Sequence, residues 1–96
     1  MAKKDLKDFR EKINSIDIEL LFLFNRRANL VVDLARIKKQ QGKELFDPER
    51  ERDIFVSLTE KNPGPLTPEA IVRLFERIID ESRRLERTEV YNKKEK

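Results

Sequence analysis

Residues 6–38 read LKDFREKINSIDIELLFLFNRRANLVVDLARIK, and the spacing of their apolar side chains decides the fold. Leu6, Phe9, Ile13, Ile16, Leu20, Leu23, Leu30, Leu34 and Ile37 follow in steps of three and four, with Arg27 the one polar residue in the series. That is the heptad seam of a long amphipathic helix. The run Leu20-Leu21-Phe22-Leu23-Phe24 has strand character in isolation, but it sits inside an unbroken helical pattern. A helix of this length spans about 50 Å at 1.5 Å per residue, more than the rest of a small chain can cover. Phe24, Val31 and Val32, off the seam, add a second apolar contact. A homodimer that pairs the long helices is the economical way to bury both.

Two punctuation marks follow. Gly42 precedes Asp47-Pro48, and Asn62-Pro63-Gly64-Pro65 precedes Thr67-Pro68. Asp47 and Thr67 each read as an N-cap followed by a proline in the first helical position. Glu49 and Glu69 then place a carboxylate where the helix dipole favours it. The expected architecture is all-α, three helices over about 5–41, 48–61 and 67–91, in one domain covering residues 1–96. The basic tail of residues 92–96, with Lys93, Lys94 and Lys96, reads as a frayed, solvated end.

Composition narrows the chemistry. Charged residues make up 43% of the chain, yet 22 basic against 19 acidic side chains leave a net charge of only +3. This describes mixed-sign helix surfaces, without the single basic stripe that a nucleic-acid binder needs. No cysteine is present, which removes disulfides and thiol chemistry, and no histidine, which removes the usual general base and the commonest metal ligand. Catalysis here has to use carboxylates, Arg, Lys and hydroxyls. No apolar run is long enough to span a bilayer and no secretory signal is read ahead of the first helix, so a cytoplasmic protein is expected.

Helical geometry then sorts the charges. Arg27, Val31, Leu34 and Lys38 fall along one line, so Arg27 and Lys38 point the same way from an apolar stripe, while Arg36 and Lys39 are rotated toward solvent. The second helix is expected to bury Ile54, Phe55 and Leu58, with Glu51 on the same face. The third is expected to bury Ile71, Leu74, Phe75, Ile78, Ile79 and Leu85, interrupted by Ser82 and Glu86 at i, i+4 spacing. Each intrusion has a plain structural reading. Arg27 can set register or reach to water, Ser82 can bond back to its own helix, Glu51 can serve the first turn, and Glu86 can pair with Arg83 or with a lysine of a neighbouring chain. Their occurrence on all three apolar faces favours a polar pocket for an anionic ligand, because burying charge without a partner is costly.

The ordered set of residues resembles a known family. Phe9-Arg10-Glu11-Lys12-Ile13, Ile16-Asp17, Asn25-Arg26-Arg27, Lys38, Asp47-Pro48-Glu49-Arg50-Glu51 and the segment from Arg73 through Arg83 are similar to the all-helical chorismate mutases over residues 5–90. The resemblance implies an intertwined homodimeric helical bundle that converts chorismate to prephenate, a Claisen rearrangement in aromatic amino-acid biosynthesis. It implies no cofactor, no metal, no nucleic acid and no membrane. By the same carry-over, Arg27, Lys38 and Arg50 come from one subunit and Arg10 from the other. Arg10 and Arg27 hold carboxylates, Glu51 accepts the ring hydroxyl, Asp47, Arg50 and Ser82 complete the polar wall, and Lys38 and Glu86 face the ether oxygen. Helix rise agrees about Arg10, which lies about 25 Å along the helix from Arg27.

Glu86 stands where glutamine is the common bacterial residue of that family, so it must be protonated to donate. Arg10, Arg27, Lys38 and Arg50 against Asp47 and Glu51 then leave a surplus of two positive charges, suited to a dicarboxylate. Two other readings stay open: an isochorismate pyruvate-lyase of the same fold, and a non-enzymatic dimerisation module in which Arg27 only sets register.

Overall fold

The computed structural model describes residues 5–92. Helix α1 runs Leu6–Gln40, α2 runs Pro48–Lys61 and α3 runs Pro68–Glu86, and a five-residue π-helical turn, Arg87–Tyr91, continues from α3. No strand occurs among the described residues. The tail residues Lys93, Lys94 and Lys96 lie outside them. The chain divides into two compact units, residues 1–30 and residues 31–96.

The first unit holds the N-terminal part of α1. Asp5 starts it, its Oδ1 accepting the backbone N–H of Asp8 at 2.9 Å, which satisfies one of the orphan donors of the first turn. Residues 6–26 are exposed throughout. The whole apolar seam, from Leu6 to Ile37, remains between 41% and 67% exposed in a single chain. A soluble chain rarely leaves so long an apolar stripe bare.

The second unit begins with the last turns of α1. Gly42 adopts φ +68, its N–H donates to Lys39 O at 3.1 Å, and the Lys43 N–H donates to Lys38 O at 2.8 Å. These paired bonds close α1 in a Schellman turn, for which a residue free to take positive φ is needed. Asp47 caps α2 by accepting the Arg50 N–H at 3.0 Å, and Thr67 caps α3 by accepting the Ala70 N–H at 3.1 Å. Between them Asn62 braces the loop: its side chain accepts the Gly64 N–H at 3.1 Å and donates to Leu66 O at 2.7 Å.

Helix α2 packs on α3. Among the described residues the buried apolar side chains are few: Ala35, Ile79 and Val90. Two expectations about the core change accordingly. Ile54, Phe55 and Leu58 of α2 are half-buried, and so are Ile71, Phe75, Ile78 and Leu85 of α3, while Leu74 is 52% exposed. Periodicity marks the apolar face of a helix, and a single small chain has too little material to cover all of it.

The third helix also ends differently from the run to 91 read in the sequence. Beyond Glu86 the hydrogen bonding widens, and the Asn92 N–H donates to Arg87 O at 2.7 Å. Val90 is buried there, and its carbonyl accepts Lys39 Nζ at 3.1 Å. The widened turn is held by partners on α1, a tertiary contact that local periodicity does not carry.

Candidate active site

Residues 31–96 contain six of the eight expected site positions, on the end of α1, the start of α2 and the last turns of α3. Lys38 is half-buried, and its ammonium donates to Leu45 O at 3.4 Å. The Schellman turn that ends α1 folds the loop back so that this carbonyl reaches the side chain. One of three N–H donors is thereby occupied, at a long distance, and two are left for another acceptor.

The start of α2 supplies Asp47, Arg50 and Glu51. Asp47 and Arg50 are exposed and joined through the cap, side chain to backbone. Glu51 is half-buried and pairs with Arg83 of α3. Arg83 also reaches Asp80 at 3.4 Å, and its guanidinium carbon lies 5.3 Å from the centre of the Phe46 ring. Ser82 and Glu86 are half-buried, and the Ser82 hydroxyl donates to Ile78 O at 2.8 Å. That back-bond is the plain reading of Ser82, and it leaves the hydroxyl oxygen able to accept.

Arg10 and Arg27 belong to the unit of residues 1–30. Arg10 is exposed; Arg27 is half-buried, and it makes an interaction of its own. Among the described residues there is no group of three or more His, Cys, Asp or Glu able to hold a metal ion, and no helix is long and apolar enough to cross a membrane.

Two residues make contacts beyond those expected from the sequence. Lys39 is exposed, as expected, and its side chain is also engaged. Its ammonium bonds Val90 O and lies 5.8 Å from the Tyr91 ring centre, while the Tyr91 hydroxyl donates to Lys43 O at 3.3 Å. Arg36 fits its expected place, exposed and 3.6 Å from Asp33. Arg83, weighed only as a partner for Glu86, engages Glu51, Asp80 and Phe46. A signal for it was present in the cap pattern. A helix start often packs an apolar residue before the cap against an apolar residue at the fourth helical position. Here those positions are Phe46 and Glu51. A side chain that is flat, apolar on its faces and cationic at its edge can satisfy both, and Arg83 does.

The sequence profile of the type II chorismate mutases matches residues 9–87 of this chain. The chain belongs to the type II chorismate mutase family. It is 37% identical over 92 residues to the bifunctional chorismate mutase/prephenate dehydratase of Pseudomonas aeruginosa, a match that covers 90% of this chain and 25% of that protein. The chain thus spans about a quarter of the length of the bifunctional relatives. Against the chorismate mutase of Methanocaldococcus jannaschii it is 33% identical over 95 residues, covering 95% of this chain and 96% of that one. Its fold superposes on the crystal structure of the Helicobacter pylori chorismate mutase in complex with prephenate with a TM-score of 0.84. Identity to that structure is 25%, with 93% of this chain and 97% of that chain covered. Expectation and finding agree on the all-helical chorismate mutase fold.

Proposed function

We propose that this chain is itself a chorismate mutase, converting chorismate to prephenate on the route to phenylalanine and tyrosine. The observation that carries the reading is the family match over residues 9–87, within which fall all eight expected site positions, from Arg10 to Glu86. The prephenate complex of the Helicobacter pylori relative supplies the ligand by analogy. We place the reaction in the cytoplasm, in keeping with a cysteine-free composition.

The rearrangement is unimolecular and requires no nucleophile. Its transition state is a chair-like conformer in which the ether C–O bond lengthens and negative charge grows on the ether oxygen. Arg10 and Arg27 hold the two carboxylates as charge-assisted, bidentate partners. Glu51 accepts the ring hydroxyl, with Asp47, Arg50 and Ser82 completing the polar wall. Fixing both ends of the substrate selects the reactive conformer. Lys38 then stabilises the ether oxygen more in the transition state than in the ground state, which is what accelerates the step. The Leu45 carbonyl aims that ammonium and leaves donors for the substrate. A protonated Glu86 shares the ether oxygen with Lys38, whereas its carboxylate offers only repulsion.

The working unit is an intertwined homodimer. The exposed seam from Leu6 to Ile37 is the surface to be covered. The separation of Arg10 from Arg27 along α1, about 25 Å by helix rise, supports a site completed by Arg10 of a second copy. Incubation with chorismate and, separately, isochorismate tests the reading, with the products identified by proton NMR. Prephenate from chorismate supports it. Release of pyruvate from isochorismate, with chorismate unchanged, assigns the lyase activity instead.

A further inference from the structure

Glu51 contacts Arg83 through one oxygen only. The Arg83 Nη2 pairs with Glu51 Oε2, and among the described residues Oε1 takes no hydrogen bond. Arg83 is itself held on three sides. Asp80, one turn back on α3, bonds its Nη1 at 3.4 Å, and the guanidinium carbon lies 5.3 Å from the ring centre of Phe46, the residue before the α2 cap. Three segments converge on one planar cation: α3 through Asp80, the α1–α2 loop through Phe46, and α2 through Glu51. The Arg83 side chain is 34% exposed and that of Glu51 23%, so the pair is sheltered without being sealed.

A carboxylate on a flexible glutamate stem has several rotamers open to it, and each one lost on substrate binding costs affinity. A guanidinium fixed from three directions removes that freedom in advance. Occupying Oε2 also leaves Oε1 as a single oriented acceptor. We propose that Arg83 is a positioning residue for substrate recognition, locking the Glu51 carboxylate so that Oε1 is presented to the hydroxyl of the substrate ring. The inference rests on the mutase reading above and deepens it. Arg83 acts through Glu51 and does not itself touch the substrate. A lysine in its place would keep the charge but lose the planar fork and the stacking face.

A double-mutant cycle in the full chain tests it, with chorismate as substrate and helical circular dichroism as the check on folding. Because the hydroxyl that Glu51 accepts neither forms nor breaks a bond in the rearrangement, its loss of order weakens ground state and transition state alike. Arg83→Met in the wild-type background should raise KM about tenfold and change kcat by less than about twofold. In the Glu51→Gln background the same substitution should change kcat/KM by less than about twofold, since the group it positions is already altered. Arg83→Lys should fall between wild type and Met, and it carries the cycle if the Met variant does not fold. Equal losses in both backgrounds, or no rise in KM with Arg83→Met, overturn the inference while leaving the mutase reading intact. An inactive wild type overturns both.

Discussion

Lys39 Nζ donates to the backbone carbonyl of Val90 at 3.1 Å, joining the last turn of α1 to the π-helical turn beyond α3. Around that bond the Lys39 ammonium lies over the Tyr91 ring, the Tyr91 hydroxyl reaches Lys43 O, and Val90 is one of the few buried residues among those described. This strap closes the same end of α1 that carries Lys38.

Val90→Ala removes two buried methyl groups from this strap and should cost about 2 kcal/mol of stability. Tyr91→Phe loses only a long hydrogen bond at an exposed site and should cost less than about 1 kcal/mol. Urea unfolding at fixed protein concentration measures both. A Tyr91→Phe loss larger than that of Val90→Ala would mean that hydrogen bonding, and not burial, holds the turn.

The exposed seam of α1 predicts that folding and association are one process. The unfolding midpoint should rise with protein concentration, because a dimer is favoured by mass action. Ile16→Asp, which puts a carboxylate in the middle of the seam, should leave a poorly folded and inactive chain. Sedimentation equilibrium together with thermal unfolding across a hundredfold range of concentration decides it. A folded, fully active monomer contradicts the dimer.

The separation of Arg10 and Arg27 along α1 carries a second prediction about the proposed dimer. Arg10→Ala and Arg27→Ala should each lose at least about a hundredfold in kcat/KM, as removal of a key charged contact does. When the two inactive variants are unfolded together and re-annealed, mixed dimers should recover part of the activity. One site of each mixed dimer collects both lesions and the other collects none. Absence of recovery in verified heterodimers would place both arginines at the same subunit's site.

The architecture was legible in the sequence because its signals are local. Pro48 after Asp47, Pro68 after Thr67 and Gly42 before the loop mark helix ends through backbone chemistry that neighbours do not alter. The seam of α1 was equally plain, since its steps of three and four persist over nine turns' worth of chain. What escaped reading came from contacts distant along the chain. Arg83 and Glu51 are 32 positions apart, and Lys39 and Val90 are 51 apart. An angle on a helical wheel says which way Lys39 points, but not that the end of the chain returns beneath it. Leu74 is exposed against expectation for the complementary reason: periodicity identifies an apolar face and is silent on how much of that face one chain covers.

The role proposed for Glu86 carries a pH dependence. A carboxyl that donates to the ether oxygen does so only when protonated, so under that proposal kcat/KM should be highest on the acid side and fall as pH rises. Glu86→Gln donates at every pH and should flatten the profile. Profiles of both proteins at fixed ionic strength supply the comparison. A wild type already flat from acid through neutral pH, or a Gln variant with the same slope, removes Glu86 from the ether-oxygen role.

In the proposed mechanism Lys38 stands at the bond that breaks. The most direct measurement follows the loss of chorismate absorbance with purified wild type and with Lys38→Ala. Wild type should consume chorismate with saturation kinetics, and Lys38→Ala should lose a factor on the order of 100 to 1,000 in kcat with its fold intact. Wild type that leaves chorismate at its uncatalysed rate, or Lys38→Ala that keeps the wild-type kcat, contradicts the account.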